Sequence, residues 1–157
     1  MRAVVQRVSR AAVSVAGEVV GRIGPGLVVL LGAGPGDDEA TAGHLASRVA
    51  TLRIFPDATG RMNLDLSQTD PRGSVLVVSQ FTLYADISRG HRPSFIGAGP
   101  PELAERLCEA FGAALRALGI EVAEGRFGAH MDVELDNAGP VTLVLSSGEP
   151  PWPADAG

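Results

Sequence analysis

The chain has 157 residues, enough for one domain with a core and too few for two comfortable ones. Apolar residues make up 45% and the formal charge is −5, which excludes a disordered chain and a long basic grip on nucleic acid, so any RNA contact has to be small and local. All thirteen basic residues are arginines, which excludes a Schiff-base lysine and a P-loop lysine. The single cysteine, Cys108, rules out an internal disulfide. With no apolar run of membrane-span length and no signal-like apolar block near the N-terminus, a cytosolic protein free of membrane contact is expected.

Residues 2–8 and 11–15 are rich in β-formers, and Gly17 marks a tight turn into 19–23, a hairpin pattern. After the Gly24-Pro25-Gly26 turn, Leu27 to Leu31 is a pure apolar run that predicts a central strand. The glycine-rich segment 32–36 lacks the spacing of a phosphate loop and runs into Asp37, Asp38 and Glu39. Three acids repel phosphate but suit a helix N-terminus, so a cap is expected there. A first helix is predicted from Asp38 to Ala50, with Ala42, Leu45, Ala46 and Val49 on its apolar face. A short strand at 52–55 and a turn-rich excursion at 56–73 follow, with 61–64 as a local apolar anchor.

Val75 to Val78 is an unbroken apolar run, the pattern of a strand buried on both faces. It meets Ser79, Gln80, Phe81 and Thr82, and a buried strand has no structural need for such hydroxyls and amides, each costing about 1 kcal/mol or more unpartnered. Polar groups at that point mark a sheet edge, a kink or the wall of a pocket. A basic loop comes next, with Arg89, His91 and Arg92. The second helix starts at Pro100-Pro101-Glu102, repeats Leu103, Leu107, Phe111, Leu115 and Leu118 at helical spacing, and ends at Gly119. Cys108 shares its apolar face and is placed in the core. Strands are expected near 120–127, 131–136 and 141–146, the last introduced by the turn signal Gly139-Pro140. Residues 1–146 form one domain on this reading, and 147–157, with Trp152, form a Pro-rich flexible tail. The sum is an α+β fold: a curved, largely antiparallel sheet or open β-barrel packed by two helices.

Ser79-Gln80-Phe81-Thr82 at the end of one strand and Asn137-Ala138-Gly139-Pro140-Val141-Thr142 before another together resemble the D-aminoacyl-tRNA deacylases (D-tyrosyl-tRNA deacylases). The likeness spans 1–146 in order and includes Gln6-Arg7-Val8, Arg61-Met62-Asn63, Arg89-Gly90, Arg92-Pro93-Ser94-Phe95 and Gly125-Arg126-Phe127. Tyr84, where a smaller residue is common, and His130 depart from the pattern. The resemblance implies a homodimer acting on the 3′ end of aminoacyl-tRNA, without cofactor or metal. It implies catalytic roles for Ser79, Gln80, Phe81 and Thr82. It further implies a cis Gly139-Pro140 peptide that reaches into the partner's pocket and selects the substrate, with Arg7, Asn137 and Met131 in support.

Thr82 as a nucleophile would need a base, yet His44, His91 and His130 are isolated in sequence and no spacing resembles a metal site. The family's alternative is an activated water helped by the RNA's own 2′-hydroxyl, with N–H groups near Phe81 and Thr82 stabilising the oxyanion. Two other readings stay open at this stage: a non-catalytic RNA- or protein-binding dimer, and a general esterase using Thr82. The editing module of some archaeal threonyl-tRNA synthetases is also similar, but the Asn137–Thr142 signature favours the free-standing deacylases.

Overall fold

The computed structural model describes residues 1–148; the rest of the expected tail, Trp152 included, lies outside the described residues. Strand β1 (Arg2–Val15) turns at Ala16 and Gly17, both at positive φ (50° and 82°), into β2 (Glu18–Ile23), the turn geometry that matches strand twist. The first half of β1 pairs antiparallel with β3 (Gly26–Gly32), its second half with β2, and β8 (Asp132–Ser146) runs antiparallel along its opposite edge. Strand β6 (Ser74–Ser79) lies parallel to β3, and β7 (Val122–Glu124) lies parallel to β6. A parallel pair requires a crossover. Helix α1 (Glu39–Ala50) lies in the first crossover and α2 (Pro101–Ala117) in the second.

The helices begin and end where their chemistry dictates. Asp38 caps α1 by accepting from the Thr41 N–H at 2.8 Å, and Pro101 occupies the first turn of α2, where its missing N–H costs nothing. Each helix buries one stripe: Ala42, Leu45, Ala46 and Val49 in α1, and Ala104, Leu107, Phe111 and Leu115 in α2. These stripes meet Ala3 and Val5 of β1, Leu27, Val29 and Leu31 of β3, and Val75 and Val77 of β6 in one core. The other sheet face encloses a second core of Val8, Ala11, Val13, Ile23, Val28, Leu76 and Val78. A Cβ on Gly21 of β2 would stand 2.8 Å from the Glu124 carbonyl oxygen of β7, so β2 curls round and nearly closes the sheet into a barrel. The α+β architecture with two packing helices is the one the sequence predicts, with the two parallel pairings added.

Several local expectations change. The strand at 52–55 is reduced to β4 (Phe55–Pro56), which pairs with β5 (Met62–Leu64). Of the apolar anchor expected at 61–64, Leu64 packs half-buried against the core while Met62 is 60% exposed; Leu66, 1% exposed, is the deeper anchor of the excursion. The strand at 120–127 shrinks to β7. The expected 131–136 and 141–146 strands are one continuous β8 running through a cis Gly139–Pro140 peptide. The chain stays extended there because side chains replace ladder bonds. Asn137 accepts from the Val141 N–H at 2.8 Å, and Arg7 Nε donates to the Ala138 carbonyl at 2.8 Å. Register irregularities on β1 around Val8 absorb the mismatch.

Strand β3 enters the sheet at Gly26, where a Cβ would sit 1.8 Å from the Ser74 carbonyl oxygen, backbone that cannot swing aside. Gly26→Ala is expected to lower unfolding stability by about 3 kcal/mol or more, the upper end of overpacking costs. Gly24→Ala, with nothing within 4 Å of its Cβ, is the control and should change stability by less than about 0.5 kcal/mol in the same urea titration.

Candidate active site

The apolar run of β6 ends because the next residues leave the sheet. The Gln80 N–H donates to the Leu31 carbonyl at 2.8 Å, and Gln80 (φ −147°, ψ 77°) then turns the chain into a single 3-10 turn, Phe81–Tyr84. The polar stretch at 79–82 is therefore a kink; residues 79–81 are also pocket wall, whereas Thr82 lies outside the cavity lining. Ser79 and Gln80 are half-buried, whereas Phe81 and Thr82 are exposed. The Gln80 side-chain amide donates to Thr82 Oγ1. Among the described residues, Thr82 has no histidine or carboxylate in hydrogen-bond contact. The N–H groups of Phe81 and Thr82, which open the turn, likewise have no partner among the described residues.

Ser79, Gln80 and Phe81 line a cavity of about 900 Å³ whose further walls include Phe95, Phe127 and Met131. Phe81 and Phe95 meet edge to face, with ring centroids 5.1 Å apart. Met131 packs onto the backbone at Gly125, where a Cβ would come within 2.6 Å of its sulfur. Phe95 and Phe127 escape periodicity arguments because they sit in loops. Their signal in the sequence is that they are phenylalanines outside any apolar run, in a chain with only five. Cys108 borders the same cavity rather than lying wholly in the core. Burial, helped by Glu124 and other carboxylates, pushes its thiol up to about 11, so it stays protonated and is no nucleophile.

Behind the 3-10 turn lies a polar buttress. The Arg2 guanidinium donates to the Leu83 carbonyl at 2.8 Å and covers the Tyr84 ring at 4.5 Å from its centroid. The Tyr84 hydroxyl donates to Asp37 Oδ2 at 3.3 Å, and Asp37 also accepts from the Gly34 N–H at 2.7 Å and from the Met1 ammonium. Burial opposes the Asp37 charge, but the Met1 ammonium, the Gly34 N–H and Ser147 hold its carboxyl below the usual range.

The remaining residues singled out in the sequence gather elsewhere. Arg7 donates to the Ala138 and Ile54 carbonyls, and Asn137 Nδ2 donates to Thr142 Oγ1 at 2.9 Å. Together they brace Gly139, which sits at φ +136° with Arg7 Nη2 only 2.8 Å from where its Cβ would be. Gly139 and Pro140 do not line the cavity bounded by Ser79, Gln80 and Phe81 of the same chain. Among the described residues no helix is long and apolar enough to cross a membrane, and no group of His, Cys, Asp and Glu could hold a metal ion.

Residues 4–146 match the family model described as D-Tyr-tRNA(Tyr) deacylase. The chain belongs to that family. It is accordingly an enzyme of the hydrolase class. It is 58% identical to the D-aminoacyl-tRNA deacylase of Symbiobacterium thermophilum over 147 residues, covering 94% of this chain and 96% of that one. Against the D-aminoacyl-tRNA deacylase of Deinococcus radiodurans it is 58% identical over 145 residues, covering 92% and 99% of the two chains. A solved structure titled c-Myc DNA Unwinding Element Binding Protein superposes with a TM-score of 0.86 at 39% identity, over 94% of this chain and 99% of that one.

Tyr84 gives this member of the family a spectroscopic handle, since it is the single tyrosine. Burial, and then the Asp37 charge, push its phenol up to about 12 from 10.0. The folded value lies above the unfolded one, so the neutral phenol favours the fold fully below pH 10.0 and loses that contribution as pH rises through about 12. Absorbance titration of the phenolate should show a midpoint near 12, moving toward 10.0 in Asp37→Asn.

Proposed function

We propose that the cavity receives the 3′ end of a D-aminoacyl-tRNA and hydrolyses its ester, releasing tRNA and a D-amino acid. The observation that carries this reading is a cavity of about 900 Å³, walled by three phenylalanines, that opens at a turn with two unpartnered N–H groups. A nucleobase finds flat apolar partners in such walls, and a nucleoside with an aminoacyl group suits a volume of this size.

In the proposed reaction a water oxygen attacks the ester carbonyl carbon. The N–H groups of Phe81 and Thr82 take the developing oxyanion, an effect worth about 3 kcal/mol per well-placed donor. The carbon–oxygen ester bond then breaks, and the ribose oxygen leaves with a proton relayed through the neighbouring 2′-hydroxyl of the RNA. An aminoacyl ester is labile enough for this to proceed without a strong protein base. Ser79 and Gln80 shape the turn, and the Gln80 amide occupies the Thr82 oxygen. In this reading Thr82 positions rather than attacks.

The enzyme works as a homodimer in which Gly139-Pro140 of one copy completes its partner's cavity. Two features support this. The Arg7 and Asn137 hydrogen bonds brace a Gly139 that has no role in its own chain's cavity. Val144, Val4 and Leu30 also form a half-exposed apolar row across β8, β1 and β3, on the sheet face away from the helices. An isologous pair would bury that row. Selection is by exclusion: the Gly139-Pro140 backbone leaves no space where an L side chain would point, so abundant L substrates are refused without attraction to any one D side chain. Acting on aminoacyl-tRNA, the enzyme belongs in the cytoplasm, where translation consumes that substrate.

Thr82→Ala is expected to lose no more than about tenfold in kcat/KM on D-tyrosyl-tRNA, the value of one hydrogen bond, with its dimer intact by light scattering. Total loss would turn the mechanism toward a threonine nucleophile. For selection, the enzyme should cleave D-tyrosyl-tRNA and free glycyl-tRNA, with negligible cleavage of L-tyrosyl- or L-alanyl-tRNA. Inactive Gly139→Val and Phe81→Ala chains, mixed and re-equilibrated, should recover about a quarter of the parent's activity, since half of the dimers then hold one intact site. Cleavage of D-tyrosyl-tRNA without glycyl-tRNA would refute exclusion, and mixtures without recovery would refute the shared site.

A further inference from the structure

The segment between the 3-10 turn and α2 carries charge that the proposed reaction does not use. Asp86 and Ser94 close its base through two backbone hydrogen bonds, 2.8 and 2.9 Å long. Between them runs an exposed loop, Ile87 to Pro93, bearing Arg89, His91 and Arg92. No acidic residue occurs from 87 to 99. The one carboxylate at the base, Asp86, is exposed but engaged within the loop: the Ser88 N–H donates to it at 2.8 Å, and that bond and the Ser88 side chain hold its carboxyl below the usual range. Neither Arg89 nor Arg92 makes an ion pair or hydrogen bond among the described residues. Two free guanidinium groups within four residues stand out in a chain whose net charge is −5.

The loop's descending arm is also cavity wall. Phe95 and Ile96 both line the cavity, and Phe95 meets Phe81. Arg92 is three residues from Phe95, so at about 3.3–3.6 Å per residue the two backbones are no more than about 11 Å apart. A ligand whose end fills the cavity and whose next units are anionic would thus pass beside both arginines.

We propose that the Arg89–Arg92 loop binds backbone phosphates of the RNA strand whose 3′ end occupies the cavity, as an anchor indifferent to base sequence. The proposal rests on the reading of the cavity given above. Guanidinium forks match phosphate oxygens in pairs, and exposed arginines without internal partners give up no existing bond on binding. A net charge of −5 repels RNA from the chain as a whole, so a local basic loop also favours one way for the strand to leave the cavity.

The test compares the parent with an Arg89→Gln/Arg92→Gln double variant on two substrates, D-tyrosyl-tRNA and the D-tyrosyl ester of adenosine, which has no phosphate. On the tRNA, kcat/KM should fall about 25-fold at 0.1 M salt through KM, with kcat unchanged. The log–log dependence on salt should flatten by about 1.4, as expected for two single-strand phosphate contacts. On the adenosine ester the variant should match the parent, and Arg89→Lys/Arg92→Lys should restore most of the tRNA activity. Equal losses on both substrates would overturn the proposal, because the loop would then act by shaping the cavity through Phe95. Unchanged tRNA cleavage with an unchanged salt slope would also overturn it and leave the loop to a protein contact. A parent that cleaves neither substrate defeats the cavity reading itself and this proposal with it, an outcome distinct from an active parent whose variant loses both or neither.

Discussion

The position of β6 is the constraint on which the rest of the molecule depends. It lies parallel between β3 and β7, with Val75 and Val77 against the helices and Leu76 and Val78 inside the barrel. Both neighbours being parallel, the chain must cross over twice, and α1 and α2 occupy those crossovers. Because both faces are dry, the strand can carry no polar side chain along its interior. The first residues able to do chemistry are those at its end, where Gln80 leaves the ladder after a last bond to Leu31. A rigid buried strand thus delivers a short turn to a fixed place, and rigidity beneath a site is what holds donors to sub-ångström tolerance.

The second polar group is built on the opposite principle. Around Gly139 the ladder of β8 is interrupted, and side chains rather than neighbouring strands satisfy the backbone. Arg7 reaches the Ala138 and Ile54 carbonyls, and Asn137 takes the Val141 N–H. Such an arrangement tolerates substitution poorly, since removing Arg7 strips hydrogen bonds from two carbonyls and also removes the group packed against Gly139. It presents backbone rather than a functional side chain.

How legible the chain was follows from the physics of each segment. Apolar runs and helical spacing located β3, β6 and both helices, because burial on one or two faces writes a direct pattern into the sequence. The polar stretch at 79–82 was legible as a conflict: hydroxyls and an amide directly after a dry strand. The continuity of β8 was not legible, because Gly139-Pro140 has the composition of a turn and only Arg7 and Asn137, from elsewhere in space or by side chain, keep it extended. Met62 misled because an apolar residue in a short strand can face solvent as easily as core. Phe95 and Phe127 carry no periodicity at all, and the cavity brings them together from segments more than thirty residues apart in sequence.

Tyr84 has a consequence for how this family can drift. Its ring lies over two glycines: a Cβ at Gly32 would come within 3.3 Å of the ring, and one at Gly34 within 3.0 Å of the hydroxyl oxygen. Gly32 is held to glycine in any case, because its Cβ would stand 2.8 Å from the Gln80 carbonyl oxygen, so positions 34 and 84 alone share one volume. A chain with a small residue at 84 has room for side chains at 34, whereas a chain with tyrosine there is held to glycine at 34. Replacement at either position changes which replacements are neutral at the other, so residues 34 and 84 are free to vary only as a pair. The loop after β3 and the 3-10 turn are thereby tied in evolutionary time, although they are separate elements of the fold.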